Sequence, residues 1–141
     1  IVFGDWSSDV CSSDLEQNPE KLIQDVSRIA LNFTQLDDFN FTTRIKIKAL
    51  SVLHGVYMGV ASAILALSFP DQYAVIDFRV WSILFPDESQ KSSIDGYIQY
   101  LERLKEIQSG LNQLDDKFPW NIQEVDHAIW GIAMKNESIM L

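Results

Sequence analysis

The sequence predicts an all-α fold, and three observations support this prediction. Apolar residues recur at spacings of three and four from residue 18 onward, as they do on the buried face of a helix. Capping residues and prolines stand where these stretches begin or end. No two-residue turn signal stands between two alternating, strand-like stretches of the sequence. A chain of 141 residues, 47% of them hydrophobic, is long enough to form one domain with its own core.

The first residues of the chain do not follow this pattern. Residues 5–15, D-W-S-S-D-V-C-S-S-D-L, resemble the translation of a common short-read sequencing adapter, a contaminant of assembled metagenomic genes. We therefore expect residues 1–15 to be an artefactual or disordered leader, and residues 16–141 to be a helical domain that lacks its N-terminal part. Without the three aspartates of the adapter-like stretch, the net charge of −9 becomes −6. The alternative is a genuine polar leader.

The first helix of the domain is predicted to follow Asn18 and Pro19, a capping side chain and a ring already set at a helical φ. Residues 35–41 are mostly polar and predict a loop. Thr42 or Thr43 is then expected to cap the second helix. The buried face of the first helix is predicted from its apolar spacing: Leu22, Ile23, Val26, Ile29, Ala30 and Phe33.

Three basic residues, Arg44, Lys46 and Lys48, cluster in the second predicted helix. The series R-I-K-I-K also alternates like a strand, but its continuation into A-L-S-V-L favours a helix. A short charge run usually marks a solvated face, and here it also raises the local positive potential. The net charge of −9 nevertheless argues against broad attraction to a phosphate backbone.

Gly55 is predicted to let one helix stop and another start within a few residues, because glycine adopts positive φ without a Cβ clash. The next helix is expected over residues 60–69, with small apolar residues on nearly every side, and Pro70 ends it. A short apolar stretch then leads to Asp77, which starts a helix over residues 78–84. The inward-facing residues of that helix are predicted to be Val80, Trp81 and Leu84.

Two further helices complete the predicted fold. Residues 86–93 form a polar loop, and a long amphipathic helix covers residues 94–108, with Gly110 as its terminator. Asn121 and Glu124 form a capping box for the last helix. The inner faces are predicted from helical spacing: Ile94, Tyr97, Ile98, Leu101, Leu104 and Ile107 in the first helix, and Val125, Ile129, Ile132 and Ala133 in the second.

The most informative stretch is residues 53–61, L-H-G-V-Y-M-G-V-A, followed eighteen residues after Gly59 by Asp77. This pattern resembles the helix-hairpin-helix superfamily of DNA glycosylases, which includes the endonuclease III-like and 8-oxoguanine glycosylase-like enzymes. The series A-S-A-I-L-A-L-S-F-P-D-Q-Y-A-V-I-D-F-R-V-W is similar to a bacterial branch of that superfamily. The resemblance covers residues 43–134, and its specific part is residues 53–81.

The resemblance implies a hydrolase of base excision repair that acts on double-stranded DNA without a cofactor. Backbone N–H groups of the hairpin would hold a DNA phosphate while a flipped base enters a cleft between two helical subdomains. Asp77 would stabilise the positive charge that develops on the deoxyribose as the glycosidic bond breaks, or would activate the attacking nucleophile. The residues expected to contact DNA are Lys48, His54, Gly55, Val56, Tyr57, Gly59 and Arg79.

Several positions depart from the pattern of the superfamily. Gly59 stands where bifunctional members have a lysine, so no amine is available there for a Schiff base and lyase activity is not expected. His54 replaces the usual proline of the hairpin. Tyr57 replaces its second glycine and brings an aromatic ring towards the expected DNA backbone. Arg79 follows Asp77 by two residues, where members often have a histidine, and is expected to contact phosphate.

Each candidate residue also has a purely structural interpretation. Asp77 is a favourable helix cap without any catalysis, and Gly55 and Gly59 suit any tight turn between helices. The alternative function is therefore a catalytically inactive helix-hairpin-helix module that binds a protein partner or, weakly, DNA. The other notable residues are assigned to structural roles: Trp81, Trp120 and Trp130 to the core or to subdomain contacts, and Asp126 and His127 to the surface and helix termini.

No metal or cofactor is expected. Cys11 is the single cysteine, which excludes a disulfide framework and a thiolate cage. His54 and His127 are too few and too far apart in sequence for a metal site without carboxylates. The lack of a cysteine set after Trp130 argues against an iron–sulfur cluster. No apolar run reaches the roughly 20 residues of a membrane span, and no signal peptide is recognisable, so we expect a cytoplasmic protein without a membrane partner.

Overall fold

Seven α-helices and no β-strand make up the parts of the chain that this computed structural model describes, residues 12–34 and 36–139. The predicted all-α class is therefore confirmed. None of the helices in these two ranges combines enough length with enough apolar character to cross a lipid bilayer. The helices are α1 (Ser12–Glu16), α2 (Glu20–Asn32), α3 (Phe39–Leu50), α4 (Met58–Ser68), α5 (Phe78–Leu84), α6 (Ile94–Leu114) and α7 (Ile122–Ile139).

The chain divides into two compact units, Ile1–Ala61 and Ser62–Leu141, with the boundary inside α4. In the first unit α2 packs against α3, and in the second α5, α6 and α7 pack on one another. Residues 1–11 of the expected leader lie outside the described residues. Its residues 12–15 belong to α1, so this part is helical rather than irregular.

The second unit contains most of the large buried side chains. Ile132 was predicted to face inward but is 54% exposed, because the buried stripe of α7 passes through Ala133, about 100° away around the helix. Ile94 and Ile107, predicted on the inner face of α6, are half-buried. The remaining predicted inner residues of these helices are buried: Val80, Trp81 and Leu84 on α5, Tyr97, Ile98, Leu101 and Leu104 on α6, and Val125, Ile129 and Ala133 on α7.

The start of α3 differs from the prediction. The helix begins at Phe39, inside the loop predicted over residues 35–41, and its N-cap is Asp38, whose side chain accepts a backbone hydrogen bond of 3.0 Å. Thr42 and Thr43 are therefore not caps. They lie within α3, where each hydroxyl donates to the carbonyl four residues earlier. Asp38 takes the cap because its extended backbone and short carboxylate suit that position.

Helix α2 buries a narrower face than its apolar spacing predicts. Val26 and Ala30 are buried, whereas Ile23 and Ile29 are 39% and 52% exposed. The N-cap is Pro19, and no side chain caps the helix. Within the described ranges, α3 is the helix that packs most closely against α2, and Val26 and Ala30 are the buried members of the apolar face of α2.

Helix α6 runs six residues further than predicted, to Leu114 instead of residue 108. It passes through Gly110 and ends at Leu114, so Gly110 is not its terminator. A single glycine in a helix costs only about 1 kcal/mol, which neighbouring interactions can offset. Here the side chain of Asn112 hydrogen-bonds both the backbone N–H and the carbonyl of Trp120, which fastens the last turns to the following loop. The capping box that starts α7 is confirmed, with two reciprocal 2.8 Å hydrogen bonds between Asn121 and Glu124.

Candidate functional site

The segment between α3 and α4, residues 51–57, is called the turn segment below. Leu53 and Val56 are buried and anchor it to the first unit. His54 is exposed, and Tyr57 is 72% exposed. Two of the predicted DNA-contacting side chains, those of His54 and Tyr57, are therefore at the surface.

Gly55 has the backbone conformation that the sequence predicted for it. Its φ is +77°, in the region where a Cβ would be strained. A Cβ at this position would also lie 3.1 Å from Cβ of Asp14 and 3.4 Å from the side chain of Leu15. The backbone conformation therefore disfavours any side chain at position 55, and the close approach of Asp14 adds to this. Gly59, by contrast, lies in the first turn of α4, in ordinary helical structure.

Asn18 holds the turn segment in place. Its Oδ1 accepts a hydrogen bond of 2.8 Å from the N–H of His54, and its Nδ2 donates to the His54 carbonyl at 3.0 Å and to the Leu15 carbonyl at 2.9 Å. The prediction that Asn18 caps α2 is therefore wrong. The amide satisfies backbone groups of the turn instead, because a buried N–H or carbonyl without a partner is costly.

The basic residues of α3 do not form one solvated face. Lys48 is exposed, as a phosphate contact requires. Lys46 is only 4% exposed, and its Nζ donates to the carbonyl of Ala30 on α2 at 2.9 Å. Burial lowers the pKa of Lys46. Arg44 is half-buried. The interpretation of the cluster as a solvated face is therefore wrong for Lys46.

Asp77 is the N-cap of α5, as predicted. Its φ and ψ of −129° and 137° are extended, and its Oδ1 accepts hydrogen bonds from the N–H groups of Arg79 at 2.7 Å and of Val80 at 3.3 Å. Both bonds use Oδ1, so Oδ2 takes no part in the cap. The residue is half-buried. A carboxylate with this orientation can cap the helix with one oxygen and meet a substrate with the other.

Arg79 is held by two neighbours in the second unit. Its Nε donates to both carboxylate oxygens of Glu137 on α7, at 3.1 and 3.3 Å. Its guanidinium lies 4.4 Å from the centre of the Phe78 ring. The Arg79 and Glu137 side chains are 24% and 46% exposed, so this ion pair is accessible to solvent. A phosphate at Arg79 would have to compete with Glu137.

The residues directly before Asp77, residues 73–76, are called the approach segment below. Tyr73, Ala74 and Ile76 are buried. A segment of irregular backbone in this environment needs partners for its polar groups. Three hydrogen bonds supply them: Ile76 N–H donates to Ser62 Oγ (3.2 Å), Tyr97 Oη to the Ala74 carbonyl (2.8 Å) and Tyr100 Oη to the Val75 carbonyl (3.3 Å).

Asp126 belongs to the same region and was not predicted there. It is 4% exposed, so its assignment to the surface is wrong. Its Oδ1 is hydrogen-bonded to the hydroxyl of Tyr100. The ring of Tyr100 in turn stacks on that of Trp81, with 6.3 Å between centroids and an interplanar angle of 1°. Asp126 is thus a carboxyl group set into an aromatic core.

The environment of Asp126 favours its neutral form. Burial raises the pKa of Asp126 to about 7, and the negative charge of Asp77 adds to this, while the hydrogen bond from Tyr100 acts in the opposite direction. Burial is also the largest cause of the raised pKa values of Tyr97 and Tyr100. A carboxyl group that titrates near pH 7 is a common feature of functional sites.

A signal for Asp126 was present in the sequence. Ile122, Asp126, Ile129 and Ala133 are spaced four, three and four residues apart, which is one stripe of a helix. The predicted inner face, Val125, Ile129, Ile132 and Ala133, contains two members of this stripe but leaves out Asp126. The polar character of Asp126 hid its place in the stripe. His127, predicted to lie at the surface, is exposed.

A separate cleft of about 590 Å³ lies at the loop between α6 and α7. Phe118 is 76% exposed and Trp120 is 37% exposed, so Trp120 does not lie in the core, which was one of the two places predicted for it. Trp81 is 1% exposed and does belong to the core. The backbone of Trp120 is hydrogen-bonded to Asn112 on α6, while its side chain stays partly open to solvent. The cleft is lined by Asp115, Lys117, Phe118, Pro119, Trp120 and Glu124.

The candidate residues fall into two groups. The turn segment and Lys48 belong to the first unit, and Asp77, Arg79 and Asp126 belong to the second. In residues 12–34 and 36–139, no three His, Cys, Asp or Glu residues are grouped so that they could hold a metal ion.

In comparisons with known proteins, no family model, no curated protein and no solved structure matches the chain.

Proposed function

We propose that this chain is a helix-hairpin-helix domain of the DNA glycosylase type, which hydrolyses the N-glycosidic bond of a flipped base in double-stranded DNA. The observation that carries the proposal is the conformation of Gly55, whose positive φ lies in the turn segment, within the stretch that resembles the superfamily. The first turn of a helix that follows such a turn directs amide groups outward, where a phosphate can bind. Lys48 and the exposed His54 add polar contacts beside it.

The chemical step is assigned to Asp77. When the glycosidic bond breaks, positive charge develops on the deoxyribose, and a nearby carboxylate lowers the energy of that transition state. The two cap hydrogen bonds to Oδ1 fix the carboxylate, and Oδ2 is available to face the sugar or a water molecule. Gly59 supplies no amine, so the proposed reaction is hydrolysis without a lyase step.

The proposal is tested with the full chain on duplex oligonucleotides that each carry one damaged base, namely uracil, hypoxanthine, 8-oxoguanine or an N-alkylated purine. Asp77→Asn should reduce base release by about 100-fold or more, since it removes the charge. Asparagine is also a good helix cap, so the fold should be kept. Asp38→Asn is the matched control, because it makes the same change at the N-cap of α3.

Base release that is equal in wild type and Asp77→Asn, or that is undetectable in both on every duplex, would remove the catalytic proposal. Circular dichroism on both variants distinguishes loss of chemistry from loss of structure. Activity in Asp38→Asn should match that of the wild type.

A second candidate is a helix-hairpin-helix module without catalysis, which binds a protein partner or, weakly, DNA. The net charge of −9 and the 72% exposure of Tyr57 in the turn segment favour it. A salt titration of duplex affinity separates the two ideas. Phosphate contacts give an affinity that falls steeply with salt concentration, whereas a module for protein contact shows no such slope.

A further inference from the structure

Three oxygen atoms meet inside the second unit: Oδ1 of Asp126, Oη of Tyr100 and the carbonyl oxygen of Val75. The Tyr100 hydroxyl lies within hydrogen-bond distance of both other groups, at 3.3 Å from the Val75 carbonyl. Tyr100 is fully buried and Asp126 is 4% exposed, so water does not readily replace either partner. Each hydrogen bond among these three groups therefore uses a proton that belongs to Tyr100 or Asp126.

Whether Tyr100 can form both hydrogen bonds at once depends on the charge of Asp126. A phenol has one proton to donate, and a backbone carbonyl can only accept. Both contacts are satisfied when Asp126 is neutral, because its carboxyl O–H donates to Oη and the Tyr100 O–H donates to the Val75 carbonyl. When Asp126 is ionised, the Tyr100 proton turns to the carboxylate and the Val75 carbonyl loses its bond.

The groups that face Asp126 also disfavour its ionised form. Asp77 at the start of α5 is negative, and Tyr97 and Tyr100 on α6 stay neutral because burial raises their pKa values well above the ordinary range. Trp81 on α5 stacks on Tyr100 and carries no charge. A second negative charge at Asp126 would therefore be repelled by Asp77, and none of these facing groups compensates it.

We propose that Asp126 is a positioning residue that controls Asp77 through its own proton. In its neutral state it completes the chain of hydrogen bonds to the Val75 carbonyl and holds the approach segment, which ends next to Asp77. Loss of the proton releases that carbonyl and adds a like charge near Asp77. The local effect stands on the contacts of Asp126, and only its consequence for base release rests on the proposed function.

The proton of Asp126 is followed by nuclear magnetic resonance of the carboxyl carbon in the full chain. Asp126 should titrate with a midpoint near pH 7, and the amide signals of residues 75–80 should shift with the same midpoint. An Asp126 midpoint below about pH 5, or amide signals that do not follow it, would overturn the proposal.

Three variants sharpen the measurement. In Asp126→Asn the amide donates to Tyr100 as the neutral acid does, so the signals of residues 75–80 should stay unchanged through the pH range in which Asp126 titrates in the wild type. Tyr100→Phe removes the link, so the amide of residue 76 should no longer report the titration of Asp126. If Tyr100→Phe does not fold, wild type and Asp126→Asn decide the question. Asp87→Asn, at an exposed aspartate, should leave the titration unchanged.

The consequence for catalysis is measured as base release against pH. Wild-type activity should fall about tenfold between pH 6 and pH 8, as the neutral form of a group with a midpoint near 7 is depleted. Asp126→Asn should remove this fall. If no duplex is a substrate, the proposed function fails while the resonance titration still decides the role of Asp126. If activity is present and its profile is the same in Asp126→Asn, the positioning role fails.

Discussion

Among the residues that the structure describes, the buried acidic or basic side chain of the first unit is Lys46 and that of the second is Asp126; both are 4% exposed. Lys46 has a long flexible stem, so its ammonium group reaches from α3 to a backbone carbonyl of α2. Asp126 has one methylene group, and its Oδ1 is hydrogen-bonded to the hydroxyl of Tyr100 on the neighbouring helix α6. Burial disfavours charge in both residues, and it lowers the pKa of Lys46 and raises that of Asp126 to about 7.

The two units also differ in the side chains that hold them together. In the first unit, polar side chains satisfy backbone groups: Asn18 at the turn segment and Lys46 at the end of α2. In the second unit, large aromatic side chains form the core, and Trp81 and Tyr100 are stacked within it. The first unit should therefore be sensitive to changes at single backbone positions, and the second to loss of apolar volume and to pH.

The largest expected effect is that of Trp81→Ala. Trp81 is 1% exposed, contacts the rings of Phe85 and Tyr100, and donates its indole N–H to the Glu88 carbonyl at 3.1 Å. Its removal should lower the free energy of unfolding by about 3–5 kcal/mol, measured by urea denaturation. Trp120→Ala is the control and should cost about 1 kcal/mol or less. Similar losses in both variants would contradict an aromatic core in the second unit.

Next in size is the dependence of stability on pH. The pKa of Asp126 in the folded protein, about 7, lies above the ordinary value of 3.8, so the folded state binds this proton more tightly than the unfolded state. The stabilisation is complete below about pH 4 and is lost as the pH rises through 7. Between pH 5 and pH 7 the free energy of unfolding should therefore decrease by about 2 kcal/mol.

Urea denaturation at a series of pH values measures this contribution. The slope attributable to Asp126 should vanish in Asp126→Asn and remain in Asp87→Asn. Parallel curves for wild type and Asp126→Asn would show that the buried acid is ionised throughout this range.

Two glycines provide the third test. Gly55→Ala should destabilise the protein by about 1–2 kcal/mol, because of the positive φ and the 3.1 Å approach of Asp14. Gly110→Ala should instead stabilise it by about 0.5–1 kcal/mol, since this glycine lies in α6 with open space around it. Thermal denaturation of both variants gives the two signs. The same sign in both would contradict a special role for Gly55 in the turn segment.

The smallest effect on stability is expected at Glu137. Glu137→Gln breaks a solvent-accessible ion pair with Arg79 and should change the free energy of unfolding by less than about 1 kcal/mol. Its effect on DNA affinity should be more evident, because Arg79 no longer has a competing carboxylate. Affinity for a duplex at low salt should rise several-fold by fluorescence anisotropy. Glu106→Gln breaks the exposed pair with Arg103 and should leave affinity unchanged.

The predictable parts of the candidate site are those that depend on local chemistry. The cap at Asp77 involves amides two and three residues further along the chain, and the capping box of α7 likewise involves residues three apart. Gly55 was identifiable because a positive φ is a property of one residue. Local reasoning failed where two residues competed for one role, as when Asp38 rather than a threonine capped α3.

The amino-acid sequence by itself determined the helical class, most helix starts and the glycine turn, because these follow from interactions within about four residues. Only the tertiary structure decided which polar groups became buried partners. Asn18 meets His54 at a separation of 36 residues, Lys46 meets Ala30 at 16, and Tyr100 meets Asp126 at 26. The charge of a buried side chain depends on what surrounds it, and packing between distant helices sets those surroundings.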